Sequence, residues 1–229
     1  MIESQWDARH EQSIRPFFEE LRRGRQLYPK GPFRRDRSRT QVESDPLFDY
    51  YVFNGANNLN ALVGQRFSGI GSRRKILYIA SHGSPKSLHT LADDPITRTQ
   101  LRNALLKSKI RGIVFGSCLF GNRDNAEFLL EEHNIDWVAG YNRTVDWLAS
   151  TICDILFFRM LLDGWFRMTR KREKAVGIST VQEAVQCLYR AFPVAGELGF
   201  NVFYRKKGPG RLISDTLGPW QEEEASRNR

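Results

Sequence analysis

A histidine followed by glycine, His82-Gly83, and a cysteine, Cys118, form a potentially reactive pair. Each follows a short apolar run. KILYIA at 75–80 leads into Ser81-His82-Gly83, and GIVFGS at 112–117 leads into Cys118. A cysteine attacks as its thiolate; an imidazole beside it favours that form and later protonates the leaving group. Glycine next to the histidine adds a third part. Lacking a side chain, the Gly83 backbone lets its N–H approach an oxyanion, and the Cys118 N–H can complete an oxyanion hole.

Plainer roles stand beside this one. A free cysteine often serves as a small buried hydrophobe, and His82 could be a loop residue held by hydrogen bonds. His89 is an alternative base, placed farther beyond the strand end. Ser81 and Ser117 flank the pair, but strand alternation turns Ser117 away from Cys118. Cys153 and Cys187 fall on helical patterns and read as core, whereas His10 and His133 read as surface. GIGS at 69–72 precedes a strand instead of linking strand to helix, so it does not fit a phosphate cradle.

Strands and helices can be read on either side of the pair. Short uninterrupted apolar runs suit strands buried on both faces. TRTQLRNALLKSK between them patterns as a helix with Leu101, Leu105 and Leu106 inward. Two strands joined by one helix are expected as parallel neighbours, roughly 4.8 Å apart. Before them, TQVE at 40–43 reads as a strand and 57–67 as a helix through Leu59, Leu62 and Val63. After them come a helix at 125–134, a strand at 136–141 and a long apolar helix from Trp147. Thr180 and Glu183 match a capping box opening the helix VQEAVQCLYRAF. FNVFYRKK closes the series as an edge strand, which would also offer a route to dimerisation. Alternation of this kind implies an α/β fold with a mostly parallel sheet and sites outside the carboxyl ends of its strands.

Composition bounds the rest. The chain has 229 residues, 41% hydrophobic, enough for one substantial core. Residues 1–39 read as a basic N-terminal helix and arm, with Ile14, Phe17, Phe18 and Leu21 on one helical face. Residues 40–207 form the body and 208–229 a flexible tail. The net charge of +9 suits nucleic-acid, anionic-membrane or acidic partners and is silent on fold. The three cysteines include no CxxC pair, which argues against a zinc framework. The opening residues hold no apolar signal region. The most apolar stretch, 147–162, is too short for a bilayer and carries Asp154 and Arg159. These features imply a cytoplasmic protein with free thiols and no membrane contact.

ILYIASHGS followed by GIVFGSC is similar to the two signature blocks of the caspase-like (clan CD) cysteine peptidases. DWVAGYNRTVDW, then an apolar helix, a glycine and an EA-containing helix, resembles the bacterial caspase-like and CHAT-type branch. The resemblance covers residues 40–205. It implies a caspase-like three-layer sandwich with helices on both faces of the sheet. It also implies His82 as acid and base, Cys118 as nucleophile, and the backbone N–H groups of Gly83 and Cys118 as oxyanion donors. No cofactor or metal is implied. The substrate would be a protein, cut by a regulated effector answering to a regulatory protein, in bacterial stress or antiviral defence. One departure is informative. Members that cut after basic residues carry an acid two positions before the cysteine, where this chain has Gly116. Members that cut after Asp use arginines in the pocket, a role open to Arg143, with Asp146 and Trp147 in the same loop as further lining. Two other functions remain: a non-catalytic caspase-like module binding protein or nucleic acid through its basic arm, and a different hydrolase using the same dyad. The arm interleaves only Tyr28 and Phe33, which matches no RNA-binding module.

Overall fold

The computed structural model describes residues 1–4, 13–27, 50–67, 75–90, 94–106, 108–131, 135–170, 177–206 and 213–227. Its centre is the pair of strands that the apolar runs predict, β3 (Lys75–Ala80) and β7 (Ile110–Gly116). Side chains alternate across them. Leu77, Ile79, Ile113 and Phe115 enter one core, while Tyr78, Ala80 and Val114 enter the other. Both faces are therefore covered, as a parallel sheet requires.

Around them lie β1 (Ile2–Ser4), β2 (Tyr51–Phe53), β8 (Trp137–Tyr141), β9 (Phe200–Arg205) and β10 (Ile213–Asp215). The strand order is β10-β9-β8-β7-β3-β1-β2. The strands from β8 through β2 run parallel, and β9 and β10 are antiparallel additions. One face is covered by α1 (Arg15–Leu27), α5 (Trp147–Arg170) and α6 (Ile178–Ala191). The other is covered by α2 (Ala56–Phe67), α3 (Arg98–Leu106) and α4 (Arg123–Leu130). This is the expected three-layer α/β sandwich. A small second sheet joins β4 (His82–Gly83), β5 (Ser87–His89) and β6 (Ile96–Thr97). Near β9 lie α7 (Val194–Glu197) and α8 (Leu217–Arg227).

Several elements differ from expectation. Ile2–Ser4, read as part of the basic arm, is a strand inside the sheet between β2 and β3. The Glu3 carboxylate accepts from Ser13 Oγ at 2.9 Å, Ile14 N at 3.0 Å and Tyr50 Oη at 2.9 Å, tying the start of α1 to that strand. The Thr180 capping box does not form. The helix starts earlier, with Gly177 as N-cap and no side-chain cap, and Thr180 is buried within it. β9 is not an edge, because β10 pairs along it. The segment 213–227, read as a frayed tail, is strand and helix. Asn201 Oδ1 accepts from Thr216 N, Thr216 Oγ1 and Leu217 N at 3.0–3.2 Å. The Trp220 ring lies 4.9 Å from that of Tyr189 and fills the space beside Gly196. Pro219 sits in the first turn of α8, where proline costs no hydrogen bond. The TQVE strand, the body boundary at residue 40, the basic arm from residue 28 to 39, GIGS, His10 and His133 lie outside the described residues.

Candidate active site

β3 and β7 stay in register up to Ala80, which is paired with Gly116. His82 and Cys118 therefore stand equally far beyond the last paired position of adjacent strands. Ser81 and Ser117 between them are buried, and their hydroxyls have no partner among the described residues. His82 is exposed and Cys118 half-buried.

Gly83 makes the closest approach. A Cβ there would come 2.3 Å from the Cys118 carbonyl oxygen and 3.1 Å from Ser117 Cβ. Only glycine lets the histidine segment rest against the Cys118 backbone. Past Gly83 the chain leaves the main sheet as a hairpin that returns His89 directly opposite His82. The second histidine is thus nearer than its position in the sequence suggested. His89 Nε2 lies 3.1 Å from Ser87 Oγ.

After Cys118 the backbone turns sharply. Phe120 N donates to Cys118 O at 2.6 Å around Leu119, whose φ is +61°. A leucine in this region costs about 1–2 kcal/mol, and such strain persists only where surroundings enforce it. Leu119 N donates to Arg143 O at 3.1 Å, and Gly121 N to Tyr141 O at 3.0 Å. Both bonds fasten the turn to the end of β8. The loop after β8 also reaches the sulfur. Val145 N donates to Cys118 Sγ at 3.4 Å, and the thiol donates to Val145 O at 3.7 Å.

The structure places the remaining candidates as follows. Arg143 is exposed, and its guanidinium donates to Glu197 O at 3.2 Å. Asp146 caps α5, its Oδ1 accepting from Ala149 N at 2.9 Å. Trp147 packs edge-on to Phe17 and keeps a buried Nε1 without a partner among the described residues. Gly116 lies against Tyr78, whose hydroxyl would stand 2.0 Å from a Cβ at that position. Cys153 is fully buried and Cys187 half-buried, both on helices as expected.

Sequence reasoning missed the side chains that brace the site. Tyr78 Oη donates to Asp154 Oδ2 at 2.6 Å and Tyr141 Oη to Asp154 Oδ1 at 2.7 Å. Burial raises the Asp154 carboxyl to about 7, although both hydroxyls favour its charged form. Burial, with this carboxylate beside them, holds both tyrosines well above their ordinary range. Asp154 was visible only as a charge in an apolar helix. A cleft of about 510 Å³ opens beside the Cys118 turn, lined among others by Lys86, Arg98, Arg123 and Asp124. Among the described residues no cluster of three or more His, Cys, Asp or Glu could hold a metal ion.

No family model and no curated protein matches this chain. A solved structure does: a secreted C11 cysteine protease from Bacteroides thetaiotaomicron, in complex with an irreversible peptide inhibitor. The two share 11% identity with a TM-score of 0.53, over 89% of this chain and 64% of that one. This chain thus spans about 64% of that protease's length. At this identity the likeness is one of fold, and the fold is the caspase-like α/β architecture of a C11, clan CD cysteine protease.

Proposed function

We propose that this chain is a cysteine endopeptidase that cuts a protein substrate with Cys118 and His82. The observation that carries the reading is the Ala80–Gly116 register, which sets a histidine and a cysteine past the ends of neighbouring parallel strands. The Cys118 thiolate attacks the scissile carbonyl carbon, and the C–N bond then breaks as His82 protonates the amine. The N–H groups of Gly83 and Cys118 hold the intervening oxyanion. Water, deprotonated by His82, hydrolyses the thioester and restores the thiol. Gly116 supplies no acid, so cleavage after Arg or Lys needs a different device. The neighbouring cleft offers room for substrate side chains.

Placement in the CHAT-type branch and a role as a regulated effector in stress or antiviral defence rest on the motif order alone, and a cytoplasmic site of action rests on composition alone. Among the described residues no helix is long and apolar enough to cross a membrane. The test is cleavage of a diverse peptide library by the intact protein beside Cys118→Ala and His82→Ala. Cleavage lost in both variants supports the dyad; cleavage that survives Cys118→Ala sinks it.

A further inference from the structure

We propose that Asn122 and Asn125 are positioning residues that lock the His82 hairpin onto the Cys118 turn. The inference rests on the peptidase reading for its catalytic consequence, but the clamp itself is a matter of geometry. Asn122 Nδ2 donates to Pro85 O at 2.9 Å and to Leu119 O at 2.8 Å. Asn125 Nδ2 donates to Pro85 O at 2.8 Å and to Phe120 O at 3.0 Å. Each amide thus spends one hydrogen on the tip of the histidine hairpin and the other on the turn that follows the nucleophile. The Pro85 carbonyl receives both.

Two features show why the clamp is needed. β4 and β5 have two and three residues, and a hairpin this short is marginal by itself. Leu88 buries its base, but Pro85 and Lys86 at the tip are exposed. On the other side, the Leu119 turn is held in a conformation that must be enforced from outside. The carbonyls of Leu119 and Phe120 are the groups the two asparagines hold.

Helix capping does not account for the pattern. Asn122 Oδ1 accepts from Asn125 N at 3.0 Å as the N-cap of α4. That bond needs only an oxygen, and Asp or Ser caps as well as Asn. The amide nitrogens are surplus to the cap, and both bridge the two loops. Asn125 is 1% exposed, so its amide is committed to these partners.

Asn122→Asp and Asn122→Ser separate the two roles, because each keeps a capping oxygen and removes the amide nitrogen that makes both bridges. The measurements are thermal midpoint, hydrogen exchange over residues 83–89 and 118–121, and steady-state cleavage by the full chain. The clamp predicts a midpoint within about 3 °C of the parent and faster exchange in both loops. It also predicts kcat lowered about tenfold or more with KM little changed, since small misplacements of catalytic groups are costly. Unchanged exchange and kcat in both variants would overturn the proposal. So would loss of kcat in step with loss of stability. If the parent shows no cleavage that depends on Cys118, the peptidase reading falls, and the exchange data still decide the clamp.

Discussion

The backbone of Val145 holds the Cys118 sulfur at both ends of one residue, its N–H at 3.4 Å and its carbonyl at 3.7 Å. The N–H donates to the sulfur and the carbonyl accepts from the thiol, so the sulfur is held in place from both sides. Cys153, by contrast, is fully buried, and burial together with the Asp154 carboxylate pushes its thiol up. If Cys118 is the nucleophile, as proposed, iodoacetamide at neutral pH should label it before Cys187, and Cys153 only on unfolding. Peptide mass mapping over a time course reads the order. Early labelling of Cys153 would contradict the buried core described here.

Position 116 should refuse a side chain. A Cβ there would meet the Tyr78 hydroxyl at 2.0 Å and the ring carbon that bears it at 2.6 Å. Tyr78 cannot step aside without abandoning Asp154. Gly116→Ala should cost about 2 kcal/mol or more, a midpoint loss of roughly 5 °C for a chain of this size. Gly116→Asp, which supplies the acid carried there by caspase-like peptidases that cut after basic residues, should destabilise further without creating that specificity. Tyr78→Phe should relieve only part of the clash. Thermal melts of the single and double variants check this.

Stability should fall as pH rises through the Asp154 titration. The folded carboxyl sits near 7 because burial disfavours its charge, against an unfolded value of about 3.9. The folded state binds the proton more tightly, so this group's contribution is fullest below pH 4 and lost as pH climbs past 7. The span is at most about 4 kcal/mol. Urea unfolding at pH 5 and pH 8 should show the parent losing more stability over that interval than Asp154→Asn. Parallel losses would refute the assignment.

Removing residues 208–229 should change the assembly state. β10 would no longer cover β9, and Asn201 would lose the Thr216 and Leu217 donors it holds. An uncovered strand of the sequence FNVFYR presents free backbone groups to a second copy. Light scattering should find the truncated chain forming dimers or aggregates at concentrations where the full chain does not.

The sequence was most readable where burial was complete. KILYIA and GIVFG have no polar interruption because both faces of those strands are covered, and the His-Gly and Cys that follow mark where the ladder stops. Gly83 announced its close approach for the same reason. β1 was illegible because three residues carry no periodicity, and its partners at 51–53 and 79–80 are remote in the chain. β10 was hidden by its polar ISD and the flanking Gly and Pro. Thr180 and Glu183 matched a cap by spacing alone, but Thr180 is needed inside the core. Val145 acts through its backbone, which leaves no mark on side-chain type. The Asn122 and Asn125 amides act across a gap closed only by the fold.

Tyr78 lies on β3 and Tyr141 on β8, strands that are not neighbours, since β7 runs between them. Their two hydroxyls meet on one carboxylate from α5, directly past the bare Gly116. The strand that leads to Cys118 is thereby set in a frame whose uprights are bolted to a single beam. Its sideways play is limited by its neighbours and not by its own ladder alone. The spacing between His82 and Cys118 inherits the stiffness of a helix on the far side of the sheet from the asparagine clamp.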